Sequence, residues 1–248
     1  MTPVNVKISI LGQIPSPFFI KKIKNRKSCL FNVVDDIGRF HMGSNADLPD
    51  WGYSDENILK QLPKRDKAKE DILLVITHIA LEDNYFARVF SDNRICLTYH
   101  EAVDILDSSN IPVENLIFRT IYAICISYLF FNKKVPMDIF GHRLFHDETR
   151  GCLFDMNGIK NDIIYSSNKP NICSKCVDIL TTLDQHKIDK NVIDKVQAEL
   201  KKIKREPYYE ITDFIKKHPY LSFFLSTLIA LLLGITGSII ASLIYHPK

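Results

Sequence analysis

The sequence carries little excess charge, and this limits the classes of partner that it suggests. Its 32 Lys and Arg residues against 29 Asp and Glu residues leave a formal net charge of only +3. Nucleic-acid binding requires the neutralisation of many phosphates, and no run of basic residues is interleaved with aromatic residues on which bases could stack. The densest basic run, from Lys21 to Lys27, is typical of a solvated helix face. We therefore expect no nucleic-acid partner.

The chain also lacks the apolar N-terminal helix of a cleavable secretory signal, since Val4 to Leu11 alternates as a strand does. Of its six cysteines, Cys29, Cys96 and Cys125 lie in apolar surroundings and the other three are spaced as metal ligands. This usage indicates a reducing compartment. With 46% apolar and 25% charged residues, the chain can form one sizeable core plus an appendage.

The most informative stretch runs from Asp138 to Leu180. It contains Cys173 and Cys176 in a Cys-x-x-Cys spacing, at which two thiolates can reach one ion. His146 and Cys152, about twenty to thirty residues upstream, can complete a tetrahedron of ligands. The sequence therefore predicts a zinc site. The alternative, that each cysteine is a small buried apolar residue, leaves the spacing unexplained.

A second histidine, His142, stands four residues before His146, so that on a helix both imidazoles would share one face. This is the spacing of the HExxH zinc motif, in which the Glu is the general base for a zinc-bound water. Arg143 takes the place of that Glu, and a guanidinium cannot accept a proton. His142 is thus a further candidate zinc ligand, although the motif that contains it is poorly suited to hydrolysis. The alternative interpretation is a helix that carries two histidines and binds no metal.

At these residues the chain resembles the archaemetzincins, zincin-fold metallopeptidases in which HExxHxxGxxH is followed by cysteines that bind a second, structural zinc. His146-DETRG-Cys152 reproduces the family's distance from the last His to the second Cys. Cys173 and Cys176 then correspond to its terminal CxxC, whereas Asp147 replaces the first structural Cys.

Two alignments with the family are open. In the first, which keeps the structural cysteines and which we prefer, His146 matches the third catalytic His, and residues 136–140 replace HExxH without an imidazole. In the second, His142, His146 and Cys152 match the three catalytic ligands, with Arg143 in place of the Glu. Both lack the general base, so the resemblance implies a zincin-like fold without the family's activity.

The upstream chain extends the resemblance to roughly residues 4–180. Asp71 to Phe90 is similar to the family's central strand followed by an edge strand, with Asn93 to Tyr99 next. A long apolar helix after Pro112 would take the place of the active-site helix. We expect an α+β fold: a zincin-like mixed sheet with helices, closed by the Cys/His zinc site.

The C-terminal part changes in composition. Lys187 to Arg205 shows the apolar periodicity of an amphipathic helix, which can pack on the domain or on a partner helix. Tyr220 to Tyr245 contains no charged residue and exceeds the roughly 20 residues that cross a bilayer core. Because Lys216 and Lys217 precede this span, we expect a C-terminal tail anchor with the folded domain in the cytosol.

Small residues recur at every fourth position of the predicted span, a spacing that lets two helices approach closely and suggests a homodimer through the membrane. They are Ser222, Ser226, Ala230, Gly234, Ser238 and Ser242.

We expect a zincin-like domain over residues 1–183, a connecting helix and linker over 184–218, and the membrane anchor over 219–248.

Three functions fit this organisation. The first is a catalytically degenerate relative of metallopeptidases that senses or binds a protein or peptide ligand of unknown identity. The second is an active zinc peptidase with another base, Glu148 or Glu101. The motif around Glu101, His100-Glu101-Ala-Val-Asp104, is more typical of a helix start than of a metal site. The third is a membrane-tethered effector or toxin, which only the small-residue row supports.

Overall fold

The computed structural model describes residues 2–15, 19–138, 142–182, 187–205 and 207–245. These residues form two compact units, Met1–Lys204 and Arg205–Lys248. Residues 139–141, inside the region of the first family alignment, and 246–248, after the predicted span, lie outside the described part.

The first unit combines strands and helices around a mixed sheet. The strands are β1 (Val4–Leu11), β2 (Phe31–Phe40), β3 (Gly52–Tyr53), β4 (Ile72–Thr77), β5 (Ala80–Leu81), β6 (Ala87–Phe90) and β7 (Arg94–Thr98). The helices are α1 (Phe19–Lys24), α2 (Asp55–Gln61), α3 (Ala102–Ser108), α4 (Val113–Phe130), α5 (Ile163–Asn168), α6 (Ser174–Thr182) and α7 (Lys190–Leu200). The predicted α+β class with a mixed sheet is confirmed.

The main sheet has five strands in the order β2-β1-β4-β7-β6, and β3 and β5 form a separate pair. β4 pairs in parallel with both β1 and β7, whereas β6 runs antiparallel to β7 at the edge. The predicted sequence of a central strand followed by an edge strand is therefore confirmed.

Strand β4 is buried on both faces, as its uninterrupted apolar run predicts. Ile72, Leu74 and Ile76 face the larger core, while Leu73 and Val75 face a smaller one. The alternation of side chains along a strand produces this division, and it places β4 at the centre of the unit.

Helix α4 lies in the larger core and packs behind the sheet. Pro112 lies immediately before its first turn, one position earlier than the first-turn place that the sequence predicts, and its missing N–H costs no helix hydrogen bond. The helix is apolar and long enough to cross a membrane, yet 78% of it is buried inside the unit. It is therefore a core helix, and it brings Arg119 and Thr120 to the cavity described below.

Helix α2 begins where its capping residue predicts. The Ser54 hydroxyl accepts a hydrogen bond from the Asn57 N–H at 3.1 Å, and the helix spans Asp55–Gln61.

The second strand is longer than the apolar run from Leu30 to Val34 predicts. A register irregularity beside Lys7, with Asp35 at a φ of 57°, lets β2 continue to Phe40.

Helix α7 belongs to the first unit, although the sequence suggests a domain end near residue 183. The buried side chains of Ile193, Val196 and Leu200 join the larger core. Its Glu199 carboxylate accepts hydrogen bonds from Ser28 Oγ at 2.6 Å, the Cys29 N–H at 2.7 Å and Tyr122 Oη at 2.7 Å. The structure thus selects packing on the domain, a choice that the sequence leaves open.

The second unit consists of α8 (Pro207–Lys217) and α9 (Pro219–Tyr245). Helix α9 is long and apolar enough to span a membrane, and none of its candidate span Pro219–Ser242 is buried. Helix α8 exposes an apolar side formed by Tyr208, Ile211, Phe214 and Ile215.

Candidate metal centre

Four of the predicted metal-ligating residues come together in the first unit. The ligand atoms of His146, Cys152, Cys173 and Cys176 all lie within 4.8 Å of one another. A tetrahedral zinc with bonds of about 2.3 Å to sulfur separates its ligand atoms by about 3.8 Å, and Cys173 Sγ lies 3.7 Å from His146 Nε2. His146, Cys152 and Cys176 are buried and Cys173 is half-buried. The group can hold a metal ion.

Short backbone pairings and the start of α6 position these side chains. His146 forms an isolated bridge with Asp155, and Cys152 forms one with Asn171. Cys173 immediately precedes α6, and Cys176 lies in its first turn. The Cys-x-x-Cys spacing therefore places both thiols at one helix end, against a loop that carries the other two ligands.

Gly151 allows the turn that leads into Cys152. Its φ of +70° lies in the left-handed region that favours glycine, and an added Cβ would lie 3.2 Å from the Tyr165 carbonyl oxygen. Its own carbonyl accepts hydrogen bonds from the N–H and the Nδ2 of Asn171, each at 3.1 Å. The loop is therefore attached directly to the segment that leads into Cys173.

The cysteine thiols of the group differ in their pKa values. The hydrogen bond from the Cys176 thiol, helped by the backbone N–H groups of Cys173 and Phe154, lowers the pKa of Cys152 to about 5 against the effect of burial. The same interaction raises the pKa of Cys176. Arg150 Nη1 also lies 3.7 Å from Cys173 Sγ. A site that favours a thiolate suits a cation, because the thiolate is the metal-binding form.

Two oxygen atoms face Nδ1 of the histidine, an arrangement that the sequence does not indicate. Asp155 Oδ1 lies 3.2 Å from His146 Nδ1, and the Glu148 carbonyl oxygen lies 3.1 Å from the same nitrogen. Both neighbours are acceptors, so Nδ1 carries the proton and the Nε2 lone pair points toward the cysteines. The other carboxylate oxygen accepts from the N–H groups of Arg150 at 3.0 Å and Cys152 at 2.9 Å. Burial raises the pKa of Asp155.

His142 is not part of this group, which corrects its assignment as a candidate ligand. Residues 142–146 form a turn, with the Phe145 N–H donating to the His142 carbonyl at 3.1 Å, and no helix places the two imidazoles together. The exposed His142 ring packs 4.8 Å from the Phe131 ring. The physical reason is that His146 pairs its backbone with Phe154 and Met156 instead of continuing a helix.

A cavity of about 570 Å³ lies between the edge strand β6 and helix α4. The successive residues Tyr85 to Phe90 form one wall, and Arg119 and Thr120 lie on the helix side. Arg119 Nη2 donates to the Asp155 carbonyl oxygen at 2.8 Å, which connects the cavity wall to the metal-site loop. No histidine or cysteine is among the described residues that line the cavity.

The two alternative bases lie elsewhere on the surface. Glu148 is exposed and pairs with Arg150. Glu101 precedes α3, accepts from Asn84 Nδ2 at 2.8 Å and pairs with Lys160 at 3.4 Å. Neither carboxylate belongs to the four-residue group or to the described cavity lining.

Comparisons with protein-family models, with curated proteins and with solved structures found no significant match to this chain. No known relative therefore adds to what the fold and the site show. The protein has a mixed α+β unit with a Cys₃His group that can hold a metal ion, and a separate C-terminal helix that is long and apolar enough to span a membrane.

Proposed function

We propose that this chain is a membrane-anchored zinc protein, a catalytically degenerate relative of metallopeptidases that binds a peptide or protein at the cytosolic membrane face. The observation that carries the proposal is the composition of the metal centre. Four side chains converge within 4.8 Å, and three of them are buried. Four protein ligands fill a tetrahedral zinc shell, which is the arrangement of structural rather than catalytic zinc sites.

The ligand chemistry supports zinc in particular. Three thiols and one imidazole form a soft donor set, which suits zinc better than magnesium or calcium. The His146 imidazole has its Nδ1 side occupied by Asp155 at 3.2 Å, an arrangement common among zinc-binding histidines. One zinc per chain would join the loop around Cys152 to the start of α6.

The sheet supports the zincin-like assignment and the resemblance to archaemetzincins. A buried central strand, β4, leads to the antiparallel edge strand β6, and α4 lies across the cavity from that edge. The cavity side of α4 carries Arg119, Thr120 and Ala123, none of which can act as the general base for a zinc-bound water. This side chain set supports binding without hydrolysis.

The edge strand supports a peptide as the ligand. β6 pairs with β7 alone in the described sheet, so its other edge can accept a further strand. Addition of an extended peptide to such an edge is a common binding mode, with main-chain hydrogen bonds supplying affinity.

The second unit supports attachment to a membrane. Lys216 and Lys217 are the last two residues of α8 and are separated from α9 by His218 alone, which fits a cytosolic N-terminal side. The exposed apolar residues Tyr208, Ile211 and Phe214 of α8 fit the interface between headgroups and acyl chains. Dimerisation through the small residues of α9 stays a prediction.

The metal content of the full-length, detergent-solubilised protein tests the proposal. We expect one zinc per chain by mass spectrometry, and we expect Cys173→Ser to lose it. Cys29→Ser is the matched control, because Cys29 lies outside the four-residue group. Two zinc ions per chain would favour an active peptidase, and an unchanged zinc content in Cys173→Ser would contradict the proposed centre.

A further inference from the structure

A second cavity of the first unit, of about 390 Å³, joins two basic segments that lie far apart in the sequence. One is the end of α1 with the turn that follows it, and the other is the end of α7 with the residues after it. Arg26 Nη2 donates to the Glu199 carbonyl oxygen at 2.8 Å and connects the two segments. Five cationic side chains line this cavity, which we call the basic pocket: Lys22, Arg26, Lys27, Lys202 and Lys204.

Two of the five cations have acidic neighbours. Lys22 Nζ lies 3.3 Å from Glu114 Oε1. Glu199 is the acidic residue among the described lining, and its charge offsets that of Arg26, which is bonded to its backbone. The Glu199 carboxylate itself is occupied by neutral donors, from Ser28, Tyr122 and the Cys29 N–H.

The other three cations are unpaired. Lys27, Lys202 and Lys204 are exposed, and none of them forms an ion pair with a described residue. Like charges that converge on one cavity repel each other, and an anion between them relieves that repulsion. The basic pocket therefore favours an anionic ligand.

The rest of the lining limits the kind of anion. Phe118 is the aromatic residue of the described lining, and Arg26 Cζ covers its ring at 5.1 Å from the centre. No free aromatic face is thus offered on which a nucleic-acid base could stack. Phe118 and Ile203 are 3% and 2% exposed, so they provide no apolar anchor for a peptide side chain. Recognition rests on charge, which suits a phosphate group, because lysine binds phosphate as a point charge.

The position of the pocket in the chain indicates where that phosphate comes from. Lys204 is the last residue of the first unit, and only residues 205–218 separate it from α9. With α9 inserted in a bilayer, this short connection keeps the first unit at a high effective concentration of lipid headgroups. Anionic lipids of the cytoplasmic leaflet attract basic clusters that lie near a span.

We propose that the basic pocket binds the phosphate headgroup of an anionic membrane lipid through Lys27, Lys202 and Lys204. The inference rests on the membrane attachment in the proposed function, and it adds a lipid class and a second contact between the protein and the bilayer. The contact is independent of the metal centre and of the cavity beside β6, since no residue lines both cavities in the described part of the chain.

Native mass spectrometry of the full-length protein in a neutral detergent tests this, with dioctanoyl phosphatidylglycerol as the anionic lipid and dioctanoyl phosphatidylcholine as the zwitterionic one. We expect phosphatidylglycerol to bind at least about tenfold more tightly. Each lysine near an anionic surface strengthens the attraction about fivefold, so the triple variant Lys27→Gln/Lys202→Gln/Lys204→Gln should lose most of this preference. Exposed lysines can be replaced with little effect on folding.

The matched control is the triple variant Lys64→Gln/Lys134→Gln/Lys169→Gln. It removes the same charge from exposed lysines outside the pocket and should keep the preference for phosphatidylglycerol. An equal loss in both triple variants would assign the preference to net charge and overturn the pocket. Equal affinities of the unmodified protein for the two lipids would overturn it as well.

Competition separates the sources of the anion. Inorganic phosphate and an oligoglutamate peptide should each displace phosphatidylglycerol only at much higher concentrations than the lipid itself requires. Displacement by phosphate at the lipid's own concentration would replace the lipid with a free phosphate, and displacement by oligoglutamate would replace it with an acidic protein. The pocket variant should stay in the membrane after carbonate extraction, because α9 is unchanged. Release of the unmodified protein would instead contradict the membrane anchor of the proposed function.

Discussion

The Asp155 carboxylate and the His146 imidazole face each other inside the metal centre, with Oδ1 3.2 Å from Nδ1 and both side chains buried. Cys173 Sγ lies 3.7 Å from the other ring nitrogen, Nε2. The two oxygens that face Nδ1, from Asp155 and from the Glu148 carbonyl, leave Nε2 as the ring nitrogen that faces the cysteines.

Asp155→Asn should weaken zinc binding about 10- to 100-fold, the usual cost of losing a carboxylate that orients a ligating histidine. Competition with a chromogenic chelator measures this on the solubilised full-length protein. Asp178→Asn, an exposed change on α6, is the matched control and should leave the affinity unaltered. Equal affinities of Asp155→Asn and the unmodified protein would show that Asp155 has no orienting role.

Glu199→Gln should loosen α7 from the first unit. Burial opposes the charge of Glu199, but hydrogen bonds from Ser28, Tyr122 and the Cys29 N–H outweigh it and lower the pKa below the usual 4.5. Removing the charge should cost about 1–3 kcal/mol, and hydrogen exchange in α7 should become about 5- to 150-fold faster. Glu210→Gln, on α8, is the control.

The same carboxylate predicts a pH dependence of α7 protection. Because the folded pKa of Glu199 is lowered, its stabilising contribution is fully present above about pH 4.5 and is lost as the pH falls through the lower folded value. After correction for the intrinsic exchange rate, protection of α7 should fall in that acidic range in the unmodified protein. A fall of the same size in Glu199→Gln would assign it to another group.

The full-length protein should fractionate with membranes, and a chain truncated after Pro219 should be soluble, because α9 supplies the apolar span. Leu232→Lys places a charge inside the span, at a cost of about 2.5–3.5 kcal/mol if it lies near the bilayer centre, and should reduce insertion. Sedimentation after carbonate extraction measures both. Recovery of the unmodified protein in the soluble fraction without detergent would contradict the anchor.

The zinc-loaded protein should show no peptidase activity. General-base help is worth about 10²–10⁴ in rate, and Glu148 and Glu101 both lie outside the metal-ligating group. New protein termini in a mixed proteome, mapped with and without a chelator, test this. Chelator-sensitive cleavage that disappears in Glu148→Gln or Glu101→Gln would establish an active enzyme instead.

Features that depend on near neighbours in the chain follow from the sequence alone. The Ser54 cap is such a feature, because the hydroxyl and the N–H that it satisfies are three residues apart. The periodic apolar residues of β1 and α4, the uncharged run of α9 and the spacing of Cys173 and Cys176 are others. These patterns act within one turn or one strand, so no knowledge of the rest of the chain is needed.

Only the tertiary structure determines the contacts between segments that lie far apart in the chain. The spacing of His142 and His146 suits a helix, yet the pairing of His146 with Asp155 and Phe154 replaced that helix and left His142 on the surface. The bonds of Glu199 to residues about 77 to 171 positions away placed α7 on the domain. The burial of Arg119 in a cavity likewise depends on the position of β6 relative to α4. Such contacts form between groups that no local periodicity relates, because the packing of the whole core determines which of them meet.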